Sequence, residues 1–474
     1  MFQSSLTSSN WIRAINAFLR SPAYILLIAG LCALSAVFGL ELPVYTVYIA
    51  FGVYICLFCS DLLPLMPIVV CCYLAPSFAN NPGRNPQSIF YPQHGGLYLI
   101  ILAVIFAVCL ICRLVWDPVF GGKRFLTRKR SLTVGMLVLG VAYLLGGIGS
   151  AKYAQYAGGT LLFAFLQFVS VFAMYFLFSG AVDWENTPRD YFAWVGMSAA
   201  FAVLAQLGEN YLSGRIFMEG TNTMDRELMA TGWGMHNNIG GFMATMIPLA
   251  FYLAIKRRPS WLYTLLAVAL MLGTILSCSR TSMLIAALEF AVCSVILLRD
   301  KDTRKANLFV YGGAALCVIV FAVAAFDKLM VVFALFFEEI GEVSKRDLLF
   351  INGMKQFLDN PVFGGTFYPQ GEFVPWDWSE LEAFSSFFPP RWHNTLVQIA
   401  ASCGAIGLAA YGLHRFQTVK LFIKERSAEK LFIGLYVGAL LVASLLDCHF
   451  FNIGPVLVYS MALAFAENIG DSKL

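Results

Sequence analysis

Long runs of apolar residues, separated by short polar stretches, dominate the pattern of hydrophobic and polar positions along this chain. A helix needs roughly 20 consecutive apolar residues to cross the ~30 Å hydrocarbon core of a bilayer. The pattern therefore predicts an all-α, polytopic integral membrane protein with about 12–14 transmembrane helices. The predicted segments are 22–40, 43–59, 62–76, 97–116, 132–149, 159–181, 191–208, 237–255, 261–278, 281–298, 308–326, 394–412, 431–447 and 450–466.

Basic residues cluster in the connections at one side of this arrangement. Short cytoplasmic loops carry an excess of Lys and Arg, so this side is predicted to be cytoplasmic, together with both chain termini. The basic clusters lie at 121–130, 256–258, 299–305 and 414–426. The opposite, extracytoplasmic side has three long connections, at 77–96, 209–236 and 327–393.

The longest connection, 327–393, is expected to form an ordered cap. It is rich in Trp and Phe, a composition that disfavours disorder. Residues 346–358 have apolar positions at helical spacing, and Pro361 and Gly364 are typical of a helix end. We therefore predict a large, partly helical extracytoplasmic loop that packs on the membrane surface.

The composition excludes several classes of protein. Hydrophobic residues make up 59% of the 474 positions and charged residues only 13%, against roughly 45–50% and about 25% in soluble domains. The formal net charge of +4 does not indicate a nucleic-acid partner. The two CxxC pairs, Cys56/Cys59 and Cys109/Cys112, lack a nearby His or second pair that would complete a metal site. No metal and no cofactor are predicted.

Arg280 is an ionisable residue at the junction of two apolar runs, in the polar segment SCSRTS (277–282). A charge near hydrocarbon is costly and calls for an explanation. One interpretation is a tight turn from which Arg280 extends to the interface. The other is a guanidinium placed to bind the phosphate oxygens of an anion in the outer leaflet.

Two further residues flank the cap. Arg346 begins its amphipathic helix and can equally belong to a solvated charge cluster. His393 lies where the cap ends and an apolar helix begins, so its imidazole is expected at the outer membrane surface. Histidine titrates near neutral pH and is suited to take a proton from a sugar hydroxyl. The alternative is an interfacial histidine that caps the helix.

The segment GWGMHNNIGG (232–241) precedes another predicted span and contains His236, Asn237 and Asn238. Its glycines would allow close approach to a ligand or a neighbouring helix, although capping by Asn is equally compatible with the pattern. The remaining histidines, His94, His414 and His449, carry no further signal.

Three sequence elements together resemble the O-antigen ligase/polymerase family of bacterial membrane glycosyltransferases. The first is S-x-S-R-T at Arg280. The second is R-x-x-L-F-x-x-G-M-K-Q-F-L-x-N-P-V-F-G-G, from Arg346 to Gly365. The third is H-N-T-L-V-Q-I-A-A-x-x-G-A-I-G-L, from His393 to Leu408. Their order and their shared predicted outer side strengthen the resemblance, which covers about 270–410.

The resemblance implies a glycosyltransferase type C-like fold in the bacterial inner membrane, with the active site facing outward. Such an enzyme would transfer a glycan from an undecaprenyl-diphosphate carrier to a glycan, lipid or protein acceptor, with inversion and without metal or nucleotide sugar. His393 would be the catalytic base. The implied diphosphate ligands are Arg280 and Arg346, with Arg84 and Arg215 assisting by position; the implied donor and acceptor cavity includes His236, Asn237, Asn238 and Asn394.

The same resemblance suggests three functional regions. Residues 1–210 would form transmembrane helices that shape the lipid-carrier cavity, 211–412 the ligase-like core with its cap, and 413–474 a C-terminal transmembrane hairpin.

Two other classes of function compete with this interpretation. A lipid-linked glycan flippase or proton-coupled transporter would also have 12–14 spans, and the intramembrane carboxylate of Glu289 favours it. However, transporters usually contain internal repeats, and no second copy of the three elements occurs. A non-catalytic scaffold of the cell envelope is the remaining alternative.

Overall fold

The computed structural model describes residues 10–75, 96–116, 130–149, 157–214, 216–217, 224, 229–232, 234–324, 346–365, 367, 392–424 and 427–469. These residues are almost entirely helical, which confirms the predicted all-α polytopic class. The helices are α1 (Asn10–Leu19), α2 (Pro22–Phe38), α3 (Glu41–Phe58), α4 (Leu65–Leu74), α5 (Gly96–Trp116), α6 (Thr133–Gly149), α7 (Ala157–Phe168), α8 (Met174–Ala181), α9 (Tyr191–Leu212), α10 (His236–Lys256), α11 (Ser260–Leu276), α12 (Arg280–Leu297), α13 (Lys301–Ala324), α14 (Arg346–Asp359), α15 (Thr395–Lys424), α16 (Ala428–Leu446) and α17 (Ile453–Asn468).

Every predicted apolar segment coincides with a helix, but fewer of the described helices are long enough to span a bilayer alone. Seven of them meet the requirements of length and apolarity, and so does the continuous helical stretch Leu161–Ala181, which runs from α7 through a π-helical turn (Val169–Ala173) into α8; α1 with α2, bent by 64°, make a ninth. The predicted segment 62–76 contains only the ten residues of α4, about 15 Å of helix. The single long helices in the described part of the chain are therefore fewer than the 12–14 transmembrane helices that the sequence predicted.

A two-stranded antiparallel hairpin of β1 (Ala230–Thr231) and β2 (Gly234–Met235) precedes α10. The helices form two compact units that alternate along the chain. Unit 1 contains Met1–Arg128 and Gly180–Phe336, and unit 2 contains Lys129–Ser179 and Phe337–Leu474. The division into 1–210, 211–412 and 413–474 is a functional prediction that these packing units do not test.

In unit 1, the end of the short helix α4 is bonded to side chains of other helices. The last carbonyls of a helix have no partner within it, and here side chains supply the donors. Ser35 Oγ donates to Ala75 O at 2.8 Å, and Gln206 Nε2 donates to Leu74 O at 2.9 Å. These bonds allow a ten-residue helix to end inside the unit without leaving buried acceptors unpaired.

In unit 2, Glu467 near the end of α17 closes the N-terminus of α6. Its Oε1 accepts hydrogen bonds from the Ser131 hydroxyl at 2.8 Å and from the Leu132 N–H at 3.1 Å, and its Oε2 accepts one from the Tyr175 hydroxyl. A carboxylate at a helix N-terminus also interacts favourably with the helix dipole. Glu467 therefore joins three parts of unit 2 at one end.

Candidate functional site

His393 immediately precedes α15 and has a left-handed backbone, with φ of 51°. The cap of α15 is the next residue: Asn394 Oδ1 accepts from Leu396 N at 2.9 Å and from Val397 N at 3.2 Å. Because Asn394 satisfies the first N–H groups of the helix, the imidazole of His393 does not serve as the cap. The helix-capping alternative for His393 is thereby disfavoured.

The imidazole lies beside Asp447, the residue that follows α16. His393 Nδ1 is 3.4 Å from Asp447 Oδ1, within ion-pair distance but longer than a normal hydrogen bond. The His393 side chain is 36% exposed and that of Asp447 only 16%. In this pair, the carboxylate is the more buried group, and the imidazole is the more exposed group that a reactant can reach.

Asp447 is held as a carboxylate. Burial raises the pKa of Asp447, but the adjacent His393 imidazole, the charge of His449 and the N–H of Cys448 together lower it below its ordinary value. The Cys448 N–H donates to Asp447 Oδ1 at 2.6 Å. At neutral pH, Asp447 is therefore a fixed negative charge that can orient an imidazole and stabilise its protonated form.

The start of α15 is also bound to the end of α16. Asn394 Nδ2 donates to Leu445 O at 2.8 Å, so the residue that caps α15 also holds the chain that presents Asp447. Sequence analysis placed Asn394 in the substrate cavity; its polar atoms are bonded within the protein, and the cavity role stays a prediction. Asp447 was missed, although a lone carboxylate at the outer end of an apolar run was an available signal.

Gln398, fully buried on α15, fixes the residue before His393. Its Oε1 accepts from Trp392 N at 2.9 Å, and its Nε2 donates to Ser402 Oγ at 3.1 Å. The Cys448 thiol lies 3.6 Å from the same Oε1. These contacts link both flanks of the His393–Asp447 pair to one rigid helix.

The predicted cap helix is confirmed as α14, which packs on α15 directly beneath Trp392. Leu349, Val397 and Ala401 are buried together with Trp392 in one apolar cluster. A Cβ at Gly353 would lie 2.5 Å from Val397 Cγ1, so only glycine permits this separation. The remainder of 327–393 lies largely outside the described residues.

The loop after α14 inserts into a break in α15. Gly404 has φ of 64° and ψ of −160° inside that helix, and the freed Ala405 N–H donates to Pro361 O at 2.8 Å. Gly365 N donates to Ala401 O at 2.7 Å. A Cβ at Gly364 would lie 2.4 Å from the backbone of α15, which explains why the second and third sequence elements are rich in glycine.

In unit 1, Arg280 is the first residue of α12 and follows a tight turn. Cys278 in this turn has a left-handed φ of 56°, and Ser279 Oγ lies 2.8 Å from Ser282 Oγ. Arg280 as a whole is half-buried. Arg280 thus occupies a helix N-terminus, where backbone N–H groups and the helix dipole favour negative charge.

The His236 segment lies at the same end of unit 1. A Cβ at Gly240, in the first turn after His236, would lie 2.3 Å from Ser277 Oγ, so the starts of α10 and α12 are adjacent. His236 is the buried first residue of α10, and Asn237 and Asn238 lie inside its first turn rather than before it. The hairpin that precedes them is held by Gln206 Oε1, which accepts from Gly232 N at 3.1 Å.

The structure therefore groups the predicted site residues in two places. Arg280 lies with His236, Asn237 and Asn238 in unit 1, and His393 lies with Asn394 in unit 2. Arg346 is the first residue of α14, and its side chain is outside the described part, as are Arg84 and Arg215 entirely. Within the described ranges, no group of three His, Cys, Asp or Glu side chains could hold a metal ion.

Comparison with known families gives one match. Residues 265–412 match the family model described as O-antigen ligase. This range begins within α11, contains Arg280 and the cap, and ends within α15. No curated protein matches the chain.

Proposed function

We propose that this chain, in which residues 265–412 match the O-antigen ligase family, is a membrane glycosyltransferase of the ligase or polymerase type. The donor is a glycan on an undecaprenyl-diphosphate carrier, and the acceptor is a hydroxyl of a glycan, lipid or protein. The reaction takes place at the outer face of the bacterial inner membrane. It requires neither a metal nor another cofactor.

The His393–Asp447 pair is the observation that carries this proposal. In the reaction, the acceptor oxygen attacks the anomeric carbon, the bond from that carbon to the diphosphate breaks, and configuration inverts. His393 accepts the proton of the acceptor hydroxyl through Nε2 while Nδ1 faces Asp447. Asp447 stabilises the resulting imidazolium, as a carboxylate does beside a histidine base in acyl transfer.

Arg280 supplies the positive charge for the leaving group. As the bond to the sugar breaks, negative charge grows on the diphosphate, and preorganised donors that meet this charge lower the barrier. The guanidinium and the N–H groups at the start of α12 are donors of this kind. Arg346, Arg84 and Arg215 are further ligands of the diphosphate, and His236, Asn237 and Asn238 border its binding site.

The direct test is an assay of the purified chain in proteoliposomes with an undecaprenyl-diphosphate-linked glycan and a separate acceptor. We expect release of undecaprenyl diphosphate in a one-to-one ratio with the transferred glycan, at an unchanged rate in excess chelator. If the rate instead collapsed with chelator and returned with Mg²⁺ or Mn²⁺, the arginines would not be the main diphosphate ligands.

The Asp447→Asn variant tests the base and its partner. Loss of a charge-assisted interaction of about 1.5–3 kcal/mol should slow transfer by about 10–10²-fold. The amide no longer stabilises the imidazolium that forms in the transition state, so the loss should appear in kcat while donor binding is kept.

Asp300→Asn is a matched control, since Asp300 pairs at 3.6 Å with the exposed Arg258 in unit 1. It should keep both the rate and the donor binding. Parallel loss of donor binding and rate in Asp447→Asn would assign Asp447 to folding and not to support of the base.

Proton-coupled transport of a lipid-linked glycan is the second candidate, and Glu289 favours it. This residue lies midway along α12, and its Oε2 is buried without a hydrogen-bond partner in the described part of the chain. In the same proteoliposomes, a transporter would move intact donor across the bilayer without releasing diphosphate. That activity would depend on Glu289 and be insensitive to His393→Ala.

A further inference from the structure

Unit 2 contains a second polar cluster, built on the part of α15 that follows the family match. The guanidinium of Arg415 lies over three aromatic rings, 4.4 Å from the centroid of Tyr411, 4.1 Å from Phe450 and 5.2 Å from Tyr459. Its Nη1 donates to the Tyr459 hydroxyl at 2.7 Å. This places a cation among apolar side chains, a position that normally indicates function.

The same hydroxyl contacts His414. Tyr459 Oη accepts from Arg415 and lies 2.7 Å from His414 Nε2, so its own proton can go to that nitrogen. The other nitrogen, Nδ1, then carries the hydrogen of the neutral ring; in a protonated ring it would also be a donor. His414 is fully buried, so its Nδ1–H is a donor out of reach of solvent.

Four buried polar atoms of this cluster have no hydrogen-bond partner within the part of the chain that the structure describes. They are Arg415 Nε, Arg415 Nη2, His414 Nδ1 and the hydroxyl oxygen of Tyr143. The Tyr143 ring contacts Phe451, the neighbour of Phe450, with 4.9 Å between centroids. All four can donate, and among the described residues no carboxylate pairs with Arg415.

The cluster carries a positive charge and an excess of hydrogen-bond donors, and these two properties define the ligand that would complement it. Each unsatisfied buried polar group costs about 1–3 kcal/mol, and more when it is charged. The aromatic rings offset part of the charge through their faces, but they do not accept the in-plane N–H groups at Nε and Nη2. Water could accept hydrogen bonds but would not neutralise Arg415. The complementary ligand is therefore an anion whose atoms accept hydrogen bonds and do not donate them.

The surroundings of the cluster favour an anion attached to a lipid. Leu413, Phe416 and Val419 on α15 are exposed on the surface of the unit, and this surface faces hydrocarbon if α15 crosses the bilayer. Arg415 lies between Leu413 and Phe416 in the sequence of this helix and is itself only partly buried. Acyl chains can lie along these apolar side chains while the head group reaches the guanidinium.

We propose that Arg415, His414 and Tyr143 form a binding site for the phosphate group of a membrane phospholipid. The two free N–H groups of a guanidinium match two phosphate oxygens, and His414 Nδ1 and the Tyr143 hydroxyl can bond the others. The site is independent of the His393–Asp447 pair and of the proposed transfer reaction. Bound phospholipid would join α6, α15 and the segment between α16 and α17.

The test is binding of phosphatidylglycerol to delipidated protein in detergent, followed by native mass spectrometry and by the lipid-induced rise in unfolding temperature. We expect Arg415→Met to weaken binding at least about 10-fold, as loss of a charge-assisted interaction predicts. Arg13→Met, at an exposed arginine of α1, is the matched control and should bind like the wild type. Inorganic phosphate at the same concentration should produce neither signal.

If Arg415→Met does not fold, Tyr143→Phe provides a second variant with which lipid binding can be tested. Removing one hydroxyl that has no partner among the described residues should leave the lipid-free unfolding temperature unchanged or raise it. The same variant should bind phosphatidylglycerol about 2- to 10-fold more weakly. Equal binding by the wild type and both variants would overturn the proposal, as would binding of inorganic phosphate alone, which would mark a site for a soluble anion.

Discussion

Replacement of His393 by alanine is expected to lower glycan transfer by about 10²–10⁴-fold, the usual contribution of a positioned general base. Donor binding should persist, because the diphosphate contacts are assigned to arginines. His393→Gln should be nearly as inactive, since an amide retains hydrogen bonding but cannot take the proton. Turnover and donor binding are to be measured on the same purified variants.

A double-variant cycle sharpens this prediction. If Asp447 acts only through His393, then Asp447→Asn should have little further effect in the His393→Ala background. Near-normal turnover of His393→Gln would exclude His393 as the base. Parallel loss of binding and turnover in His393→Ala would make it a binding residue, and the base would then be sought among the carboxylates of 327–393.

Arg280→Ala should slow transfer by about 10²–10³-fold, the typical cost of removing one preorganised donor from a site of developing negative charge. Arg280→Lys should recover only part of this loss, because an ammonium cannot reproduce the two parallel N–H groups of a guanidinium. The loss should appear mainly in kcat, since the charge on the leaving group grows in the transition state. Steady-state kinetics with varied donor measure it.

Arg304→Ala is the matched control for Arg280. Arg304 is exposed on α13, where its Nε donates to Leu298 O at 2.9 Å, and its loss should leave the kinetics unchanged. A fully active Arg280→Lys variant would reduce Arg280 to a generic interfacial cation and favour the interpretation in which it only extends to the membrane surface.

Some features of the candidate site could be predicted from the sequence, and others could not. The start of α14 was predicted at Arg346, and the start of α12 was predicted one residue late, at 281 instead of Arg280, because polar breaks between apolar runs are local signals. Asp447 was not recognised. Its importance depends on a contact with His393, 54 positions earlier in the chain, and no periodicity or spacing encodes such a contact.

The cap of α15 could not be assigned from the sequence for the same reason. A histidine and an asparagine before an apolar helix are interchangeable as candidate caps in the sequence, and only the observed bonds to Leu396 N and Val397 N assign the cap to Asn394. The glycines at 364 and 404 likewise belonged to recognisable elements. These positions require glycine because a loop inserts into a broken helix, and this became visible only with the backbones of both segments in place.

The sequence by itself determined the helical, membrane-embedded class of this protein, the position of each apolar helix and the family-like elements, because burial in hydrocarbon requires apolar side chains along continuous segments. Tertiary structure decided which ends of these helices meet. It placed Asp447 beside His393, and the start of α10 beside the start of α12. It also brought Tyr143, His414 and Arg415 together in one cluster. Such pairings depend on side-chain packing between segments distant in the chain, and hydrophobicity alone does not specify them.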